Sequence, residues 1–318
     1  MARRRSKVDL PCFDDFEEVP PSERMVGGTQ PKSLLVDKST GDTYIAKSSK
    51  SKADPALACL TEFLIHLAGK MLSCELAEGG LCLYHGEVHF FSRYFLEAGE
   101  DLLHGVELFS QLYSPDHVAE VTGARESEQA LYTVRAVKDV LGAHFLEHED
   151  QLFAQFVSLL THDAIIGAMD RHAENWGVIV RRTGESKPRI APIYDSASAL
   201  FWHHDEESLL RKFVRNPDWK PRLQSYVERS FPLIGWDDCK ELNHVALITR
   251  VFFEYPELRQ RIRQMLGCFD RLRFTDMALS QVGGWVTPMR IDLIGRCINL
   301  RIKAIRKSIE NACVKGLR

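Results

Sequence analysis

The chain has 318 residues, of which 45% are hydrophobic and 27% are charged, and its net charge is -3. These values are ordinary for a globular protein and argue against a disordered or fibrous one. The near-neutral charge balance gives no overall basic surface, so we do not expect direct binding of nucleic acid.

The eight cysteines are scattered along the chain, with no C-x-x-C pair and no Cys/His cluster at the spacing of metal ligands. This distribution predicts reduced thiols in a cytoplasmic protein and argues against a structural zinc site. An acidic stretch follows the basic first residues, where a signal peptide needs an apolar core, and no apolar run approaches the roughly 20 residues of a membrane helix. We therefore expect no association with a membrane.

The first part of the chain alternates between strand and helix patterns. Residues 1–23 predict an irregular leader, because mixed charges and the pair Pro20-Pro21 oppose regular structure. The runs "SLLV" and "TYIAK" predict two strands around the turn "DKSTGD". Next, "DPALACLTEFLIHLAGKML" predicts an amphipathic helix capped by Asp54, and "GLCLYHGEVHFFSRYF" predicts two more strands around Gly86.

After about residue 95, helical periods dominate the sequence. We predict helices over 128–141, 149–168, 237–253, 256–272 and 291–311, interrupted by a two-strand hairpin around "RTGESKP". The change of pattern places a boundary near residues 95–101. The predicted fold is α+β and two-lobed, with a leader over 1–23, a small β-rich N-lobe over 24–97 and a larger, mostly helical C-lobe over 98–318.

The stretch "DAIIGAMDRHAENWGVIV" places polar side chains in a loop between a helix and a strand. Asp170 and Asn175 lie five residues apart in this loop, and the following hairpin delivers Asp195. Two carboxylates and an amide supply the hard oxygen ligands that magnesium prefers, and one carboxylate can orient a hydroxyl. Taken singly, Asp170 and Asn175 are also typical turn residues. Arg171 is either a solvated surface charge or a phosphate contact, and we expect His172 to be a scaffold residue.

Two further signals precede that loop. Lys47 ends an apolar strand, which places its ammonium either in solvent or in a cleft, and Glu62 in the following helix is its natural partner. The segment "GGTQPK" has paired glycines that let backbone amides approach a phosphate, although it lacks the P-loop and dinucleotide patterns. Each signal alone also fits a plain turn or a solvated face. Together they follow the order of a protein-kinase site: glycine loop, strand lysine, helix glutamate, Asp-x-x-x-x-Asn loop and second aspartate.

These motifs resemble the HipA-like serine/threonine kinases of bacterial toxin–antitoxin systems. The resemblance lies in "VGGTQPKSLL", "YIAKSS", "ACLTEFLIHLAG", "IIGAMDRHAENWGVIV" and "IAPIYDSASAL", which cover roughly residues 24–202. It implies ATP and Mg²⁺ as cofactors, Asp170 as the catalytic aspartate, and Asn175 with Asp195 as metal ligands. It also implies nucleotide contacts by the phosphate-loop residues Gly28, Gln30 and Lys32, by Lys47 supported by Glu62, and by an adenine-binding hinge over Phe90 to Tyr94.

Two departures from the family pattern mark this chain. Longer members carry an extra amino-terminal subdomain for which this sequence has no room, so the chain resembles the compact, kinase-core-only branch. Members often autophosphorylate a serine shortly before the glycine pair, where this chain has Arg24 and Met25, and Ser22 is the only hydroxyl just upstream. The resemblance therefore does not extend to self-inactivation by that route.

The resemblance implies a two-lobed, protein-kinase-like fold and an ATP-dependent kinase that phosphorylates a protein serine or threonine. Its implied role is that of a toxin acting on a translation component such as an aminoacyl-tRNA synthetase, with a helix-turn-helix antitoxin as partner. Two alternatives stay open. A lipid kinase is one, because "DRHxxN" also resembles phosphoinositide kinases. A nucleotide-binding pseudokinase that acts through protein contacts is the other, although the joint presence of Lys47, Asp170, Asn175 and Asp195 argues against it.

The carboxyl-terminal segment carries isoleucines at helical spacing, namely Ile291, Ile294, Ile298, Ile302 and Ile305. The residues between them are largely basic, with Arg296, Arg301, Lys303, Arg306 and Lys307. This pattern predicts a terminal helix that docks through its isoleucines and exposes a solvated basic face. Contact of that face with an acidic partner or with RNA is the alternative.

Overall fold

The computed structural model describes residues 7–20, 32–48, 55–113, 132–184, 186–196, 198–237 and 242–314. Contacts divide the chain into two compact units. Unit 1 comprises Met1–Phe95, Ala199–Leu223 and Phe269–Asn299, and unit 2 comprises Leu96–Ser198, Gln224–Cys268 and Leu300–Arg318. The predicted division into a leader and two continuous lobes stays a prediction.

Two antiparallel sheets contain the named strands of the described residues. In unit 1 the order is β1-β2-β3-β5-β4, with β1 Glu17–Val19, β2 Lys32–Val36, β3 Thr43–Lys47, β4 Gly79–Tyr84 and β5 Glu87–Arg93. In unit 2 the order is β6-β7-β8, with β6 Glu100–His104, β7 Gly177–Arg181 and β8 Arg189–Ile190. Both predicted hairpins of unit 1 form, and Gly86 supplies the positive φ of 76° that the β4–β5 turn requires.

The helices of the described residues are, in chain order, α1 Pro55–Met71, α2 Gly105–Leu112, α3 Val134–His144, α4 Glu149–Ile166, α5 Glu206–Leu209, α6 Trp219–Glu228, α7 His244–Glu254, α8 Arg259–Cys268, α9 Arg271–Val282 and α10 Pro288–Val314. Short 3-10 turns precede α4 and α8, and a π-helical turn, Leu210–Val214, follows α5. Within these ranges, a helix long and apolar enough to cross a bilayer is absent. The mixture of antiparallel sheets and helices confirms the predicted α+β class.

The predicted helix bounds agree best with the structure where apolar residues follow the helical spacing over a long segment. The predicted helix 149–168 corresponds to α4, which ends at Ile166 because Gly167 adopts the left-handed region, with φ 73°. The predicted helix 256–272 is instead divided between a 3-10 turn, α8 and α9, since Asp270 caps a new helix by accepting from the Arg273 N–H. Helices α2, α5 and α6 and strand β6 were not predicted. Part of the predicted helix 128–141 and the Asp54 cap lie outside the described residues.

The sheet of unit 1 buries different partners on its two faces, because side chains alternate along a strand. One face forms a core cluster of Phe13, Leu35, Ala46, Cys82 and Tyr84, flanked by Phe16, Tyr44 and Phe91. The other face packs on α1, whose Leu60, Leu64 and Leu67 are buried. Phe90 of β5 contacts His66 of α1, so the alternate residues of β5 point toward the helix.

The amino-terminal segment is more ordered than its sequence predicts. Strand β1 pairs with β2, Phe13 stacks on Phe16 with ring centroids 4.2 Å apart, and the Phe13 N–H donates to the Leu83 carbonyl. The expectation of an irregular leader therefore does not hold for this part. A three-residue strand with two glutamates has no alternating pattern, and its order comes from aromatic contacts with distant strands.

The carboxyl-terminal helix α10 confirms the isoleucine stripe, since all five predicted isoleucines are buried. The prediction of a uniformly solvated basic face is wrong for one residue, because Arg301 is only 1% exposed. Arg296 pairs with Asp292 across one helical turn, whereas Lys303, Arg306 and Lys307 are exposed. Helical spacing alone did not separate Arg301 from its exposed neighbours.

Replacing Phe13 by Ala tests whether the amino-terminal segment belongs to the folded unit. The ring is buried and lies against Phe16, Tyr44 and Phe91. We expect the free energy of unfolding in urea to fall by about 3 kcal/mol, as for other buried phenylalanines. The control Asp15→Ala, at an exposed position, should change it by less than about 0.5 kcal/mol. Equal effects of the two variants would contradict the packing role of Phe13.

Candidate active site

Lys47 and Glu62 form a buried ion pair in unit 1. The Lys47 Nζ lies 3.1 Å from the Glu62 Oε1, and the two side chains are 6% and 7% exposed. Lys47 ends β3 on the face that packs on α1, and Glu62 lies one turn after Cys59, whose Sγ donates to the Lys47 carbonyl. The strand end is therefore held to the helix by side chain and backbone together. The partner suggested by the sequence is present, and the phosphate-binding role of Lys47 stays a prediction.

Three predicted nucleotide contacts lie in one row across the sheet. Lys32 pairs with Lys47 in the β2–β3 register, and Lys47 pairs with Phe90 in the β3–β5 register. Directly paired residues point to the same face of a sheet, so these side chains line the side that carries Glu62. The other two phosphate-loop residues, Gly28 and Gln30, lie outside the described residues.

The predicted adenine hinge over Phe90 to Tyr94 does not fit its first residue. Phe90 lies in the interior of β5 and is paired with Lys47 on one side and with Leu81 on the other. Its peptide groups are directed at the neighbouring strands, which counts against a backbone contact with adenine. Tyr94 follows the end of β5, and its N–H donates to the Thr43 carbonyl at 2.8 Å. A hinge role for the residues after β5 stays a prediction.

The candidate catalytic loop of unit 2 begins where α4 ends. The N–H groups of Gly167 and Ala168 both donate to the Asp163 carbonyl, at 2.7 and 2.9 Å, which closes the helix. The Asp163 side chain is buried and turns toward the loop that follows. The sequence folds this way because Gly167 tolerates the left-handed conformation that reverses the chain.

Arg171 is the residue that holds this loop together. Its Nε and Nη2 donate to the two carboxylate oxygens of Asp163, at 2.9 and 3.0 Å. Its Nη1 donates to the carbonyls of Asn175 and Tyr194, both at 2.7 Å, and Nη2 also donates to the Ser196 Oγ at 3.1 Å. All five guanidinium N–H groups therefore have acceptors. Arg171 is neither a solvated charge nor a phosphate contact, and both readings of it from the sequence were wrong.

The buried pair also explains the protonation state of Asp163. Burial alone raises the pKa of this carboxyl, but the Arg171 charge and the hydrogen bonds from His162 and Arg171 outweigh it and lower the pKa to about 2. For Arg171, burial lowers the pKa, and the Asp163 charge raises it beyond its ordinary value. Both groups are therefore charged at neutral pH, as a two-pronged Arg–carboxylate pair requires.

A second set of contacts joins the loop to the segment that carries Asp195. The Met169 N–H donates to the Ser198 carbonyl at 3.3 Å, and the Tyr194 hydroxyl donates to the Glu174 carbonyl at 3.1 Å. Asp195 follows Tyr194 with φ 53°, a left-handed conformation that non-glycine residues adopt rarely. Such backbone strain persists where the surrounding contacts impose it, and it is frequent at functional sites.

Asp170 and Asn175 have different environments in the same loop. Asp170 is exposed, with the Ser198 hydroxyl 3.5 Å from its Oδ2. Asn175 is buried, and its Nδ2 donates to the Asp170 carbonyl at 2.7 Å, which leaves its Oδ1 as the acceptor oxygen. His172 accepts from the Glu174 N–H through Nδ1 and from the Asn175 N–H through its carbonyl, in keeping with a scaffold role.

The metal-ligating chemistry of this set rests on oxygen atoms. Two carboxylates and one amide oxygen are hard ligands that suit Mg²⁺, and no cysteine or histidine is needed. Across the described parts of the chain, a cluster of three or more His, Cys, Asp or Glu side chains placed for a metal does not occur. A metal at Asp195 and Asn175 would therefore need further oxygens from its ligand or from water.

Sequence reasoning missed Asp163 and Ser196 and misjudged Arg171. One signal was present: Asp163 is a carboxylate inside the apolar run "LLTHDAIIGA", where burial demands a cation. Arg171, eight residues later, is the first arginine or lysine after it. The spacing alone did not predict that the same guanidinium also reaches the backbone of Tyr194.

Breaking this pair by Arg171→Met should destabilise unit 2 strongly. The change leaves the Asp163 charge buried without its partner, and we expect a loss of about 3–5 kcal/mol in the free energy of unfolding. The control Arg182→Met removes a pair with Asp101 whose side chains are 71% and 42% exposed, and it should cost at most about 1 kcal/mol. Urea unfolding of both variants measures the two losses in unfolding free energy. Similar losses would contradict the structural role of the Arg171–Asp163 pair.

The low pKa of Asp163 predicts a specific dependence of stability on pH. Because its folded-state pKa lies below the ordinary value of 3.8, the carboxylate contributes stability that is present above that value and is lost as pH falls toward about 2. The difference in unfolding free energy between wild type and Asp163→Asn should therefore shrink across this window. Asp139→Asn, at an exposed site, serves as the control. A difference that stays constant to the lowest pH at which both fold would contradict the assignment.

A kinase of Helicobacter pylori is similar to this chain in structure and in part of its sequence. A solved structure of the Helicobacter pylori proinflammatory kinase CtkA matches with a TM-score of 0.71 at 17% identity, covering 95% of this chain and 99% of that one. The curated serine/threonine-protein kinase CtkA of Helicobacter pylori strain J99 is 26% identical over 118 residues, which are 36% of this chain and 35% of that protein. The sequence match thus spans about a third of that relative, and the structural likeness shows the fold.

Two further matches involve HipA proteins. A structure titled as the Shewanella oneidensis toxin–antitoxin system HipA, HipB and operator DNA complex matches with a TM-score of 0.39 at 13% identity, covering 90% of this chain and 66% of that one. The family model that matches is the HipA-like C-terminal domain, over residues 25–267, a range that includes the Lys47–Glu62 pair and the candidate catalytic loop. The chain belongs to the HipA-like C-terminal domain family.

Proposed function

We propose that this protein transfers the γ-phosphoryl group of ATP to the hydroxyl of a protein serine or threonine. The observation that carries the proposal is the loop of unit 2, in which Asp170 is exposed while Arg171 joins the Asp163 side chain before it to the Asn175 carbonyl after it. An exposed carboxylate on a rigid loop, followed at five residues by a buried amide, is the arrangement that phosphoryl transfer uses. Family membership and the kinase-like fold support the same conclusion.

Asp170 is proposed to orient the substrate hydroxyl and to accept its proton. Its carboxylate is exposed and therefore accessible to a substrate side chain, and the Ser198 hydroxyl beside it offers a hydrogen bond that orients it. Phosphoryl transfer needs little covalent work from the protein, so positioning of the hydroxyl is the larger part of this role. A rigid backbone around Asp170 serves that role directly.

Asn175 and Asp195 are proposed to hold magnesium. The donor set fits, because Asn175 presents Oδ1 and the contacts around Asp195 hold it in a strained conformation that a free loop would not keep. Bound magnesium supplies charge neutralisation for the phosphates. Arg171 contributes indirectly, because it binds the carbonyls of Asn175 and Tyr194 and so fixes the backbone of both ligands.

Lys47 is proposed to contact ATP phosphates, with Glu62 holding its ammonium in place. The pair is buried, and a charge in such surroundings acts on a phosphate more strongly than one in water. Lys32, its neighbour in the β2–β3 register, adds a second cation to the same face of the sheet. Lys32 and Lys47 therefore place two cations on the face of the sheet where a polyphosphate would bind.

The substrate class and partner are proposed from family membership. We propose a translation component, such as an aminoacyl-tRNA synthetase, as the substrate. We propose a helix-turn-helix antitoxin as the partner. We also propose that the protein acts in the cytoplasm. Phosphoproteomics after induced expression, compared between wild type and an Asp170 variant, would name the substrate.

The experiment that tests the function is Asp170→Ala in a radiolabelled ATP assay on a protein substrate. We expect transfer to fall by about a hundredfold or more, the scale of general-base and positioning effects, while ATP binding measured by calorimetry persists. The control Asp139→Ala, an exposed carboxylate on α3, should keep wild-type activity. Full activity of the Asp170 variant would show that the assignment is wrong.

The same assay separates the two rival functions. A lipid kinase would label phosphoinositide vesicles in place of protein, and a pseudokinase would bind ATP without magnesium-dependent turnover. Labelled phosphoserine or phosphothreonine from the wild type, absent with Asp170→Ala, supports the proposal over both.

A further inference from the structure

Arg301 of α10 is buried, and two of its three guanidinium nitrogens have no hydrogen-bonding partner among the described residues. It is 1% exposed, and its Nε and Nη1 have no acceptor in the structure. Within the described residues no carboxylate lies within ion-pair distance of it. The guanidinium also lies over the face of Tyr226, with 5.7 Å from its carbon to the ring centroid.

This environment is unfavourable for a guanidinium. A buried charge with unfilled donors costs folding free energy, and an apolar side chain of similar length would pack at lower cost. Arg171 is also buried in unit 2, and each of its guanidinium N–H groups has an acceptor. A buried arginine in this unit can therefore be fully hydrogen-bonded. The position of Arg301 therefore calls for an explanation other than stability.

The Arg301 guanidinium lies directly against Gly167. A Cβ atom added at residue 167 would overlap the guanidinium group, and the φ of 73° already disfavours any side chain there. Gly167 ends α4, so the positive charge lies at the carboxyl end of the helix, where cations interact favourably with the last carbonyls. The Ser230 hydroxyl donates to the Gly167 carbonyl at 3.4 Å. We call this chain reversal at Gly167, where α4 ends, the corner.

The corner at Gly167 sets the start of the candidate catalytic loop. Asp170 follows Gly167 by three residues, and Asp163, which binds Arg171, lies in the last turn of α4. A shift of this corner would move Asp170 while leaving the core of unit 2 intact. Displacements of about 1 Å at a catalytic group cost up to about a hundredfold in rate.

We propose that Arg301 is a positioning residue for phosphoryl transfer, acting through Gly167 on the carboxylate of Asp170. The inference rests on the proposed kinase function. Packing of the guanidinium on Gly167 fixes the angle at which the loop leaves α4, and its charge favours the carboxyl end of that helix. Arg301 itself touches neither substrate nor nucleotide in this role.

The test is Arg301→Met, which keeps the length of the side chain and removes its charge. We expect kcat to fall about tenfold, with the KM for ATP unchanged within about twofold and the thermal midpoint not lowered. Arg301→Lys, which keeps the charge at the end of α4, should recover most of the lost kcat. The matched control is Arg306→Met, on the same helix, whose exposed side chain donates to the Leu266 carbonyl and which should leave kcat unchanged.

Hydrogen exchange gives a readout that does not depend on activity. Amides of residues 168–176 should exchange faster in Arg301→Met than in wild type or Arg306→Met. Wild-type kcat and exchange in Arg301→Met would overturn the inference, as would a loss of kcat that only parallels a loss of thermal stability. If the wild type transfers no phosphate while exchange still rises in Arg301→Met, the proposed function fails and the positioning of the loop by Arg301 stands.

Discussion

The buried Arg171–Asp163 pair is the constraint on which the candidate site of unit 2 depends. Removing two charges from water is costly, and the cost is met here because every guanidinium donor has an acceptor. Three separate pieces of chain converge on one side chain: the end of α4, the loop that follows it and the segment around Tyr194. Irregular backbone at this place therefore has a fixed geometry without belonging to a helix or a sheet.

The features that the sequence predicted are those set by local periodicity. Alternation in "TYIAK" placed Ile45 and Lys47 on one face, and Glu62 was the natural partner of Lys47 in the next helix, although a solvated position for either residue stayed open. The order of the motifs along the chain indicated a kinase site, which no single motif indicated alone. The kinase-like α+β fold followed from that order, because a glycine loop, strand lysine and loop aspartate have meaning together that each lacks alone.

The features that the sequence did not predict depend on contacts between distant segments. Strand β1 is held by pairing with β2 and by aromatic rings, and β6 is ordered by pairing with β7, across more than seventy residues. Arg171 was predicted to be a surface charge or a phosphate contact, because nothing in "DRHAEN" marks it as buried. The carboxylate of Asp163 in an apolar run was the available signal, and it identifies a missing cation without identifying which one.

Two buried arginines lie near the same corner of unit 2, and they differ in how many of their N–H groups are hydrogen-bonded. Arg171 lies on the loop side, and all of its N–H groups have acceptors. These hydrogen bonds account for its burial. Arg301 approaches Gly167 from α10, and its Nε and Nη1 have no acceptor among the described residues, so hydrogen bonding does not account for its burial. Gly167 must both reverse the chain and leave room for a guanidinium, and only glycine meets both demands. The corner is thus fixed from two sides, by one arginine that the fold needs and one whose placement is explained by the position of Asp170.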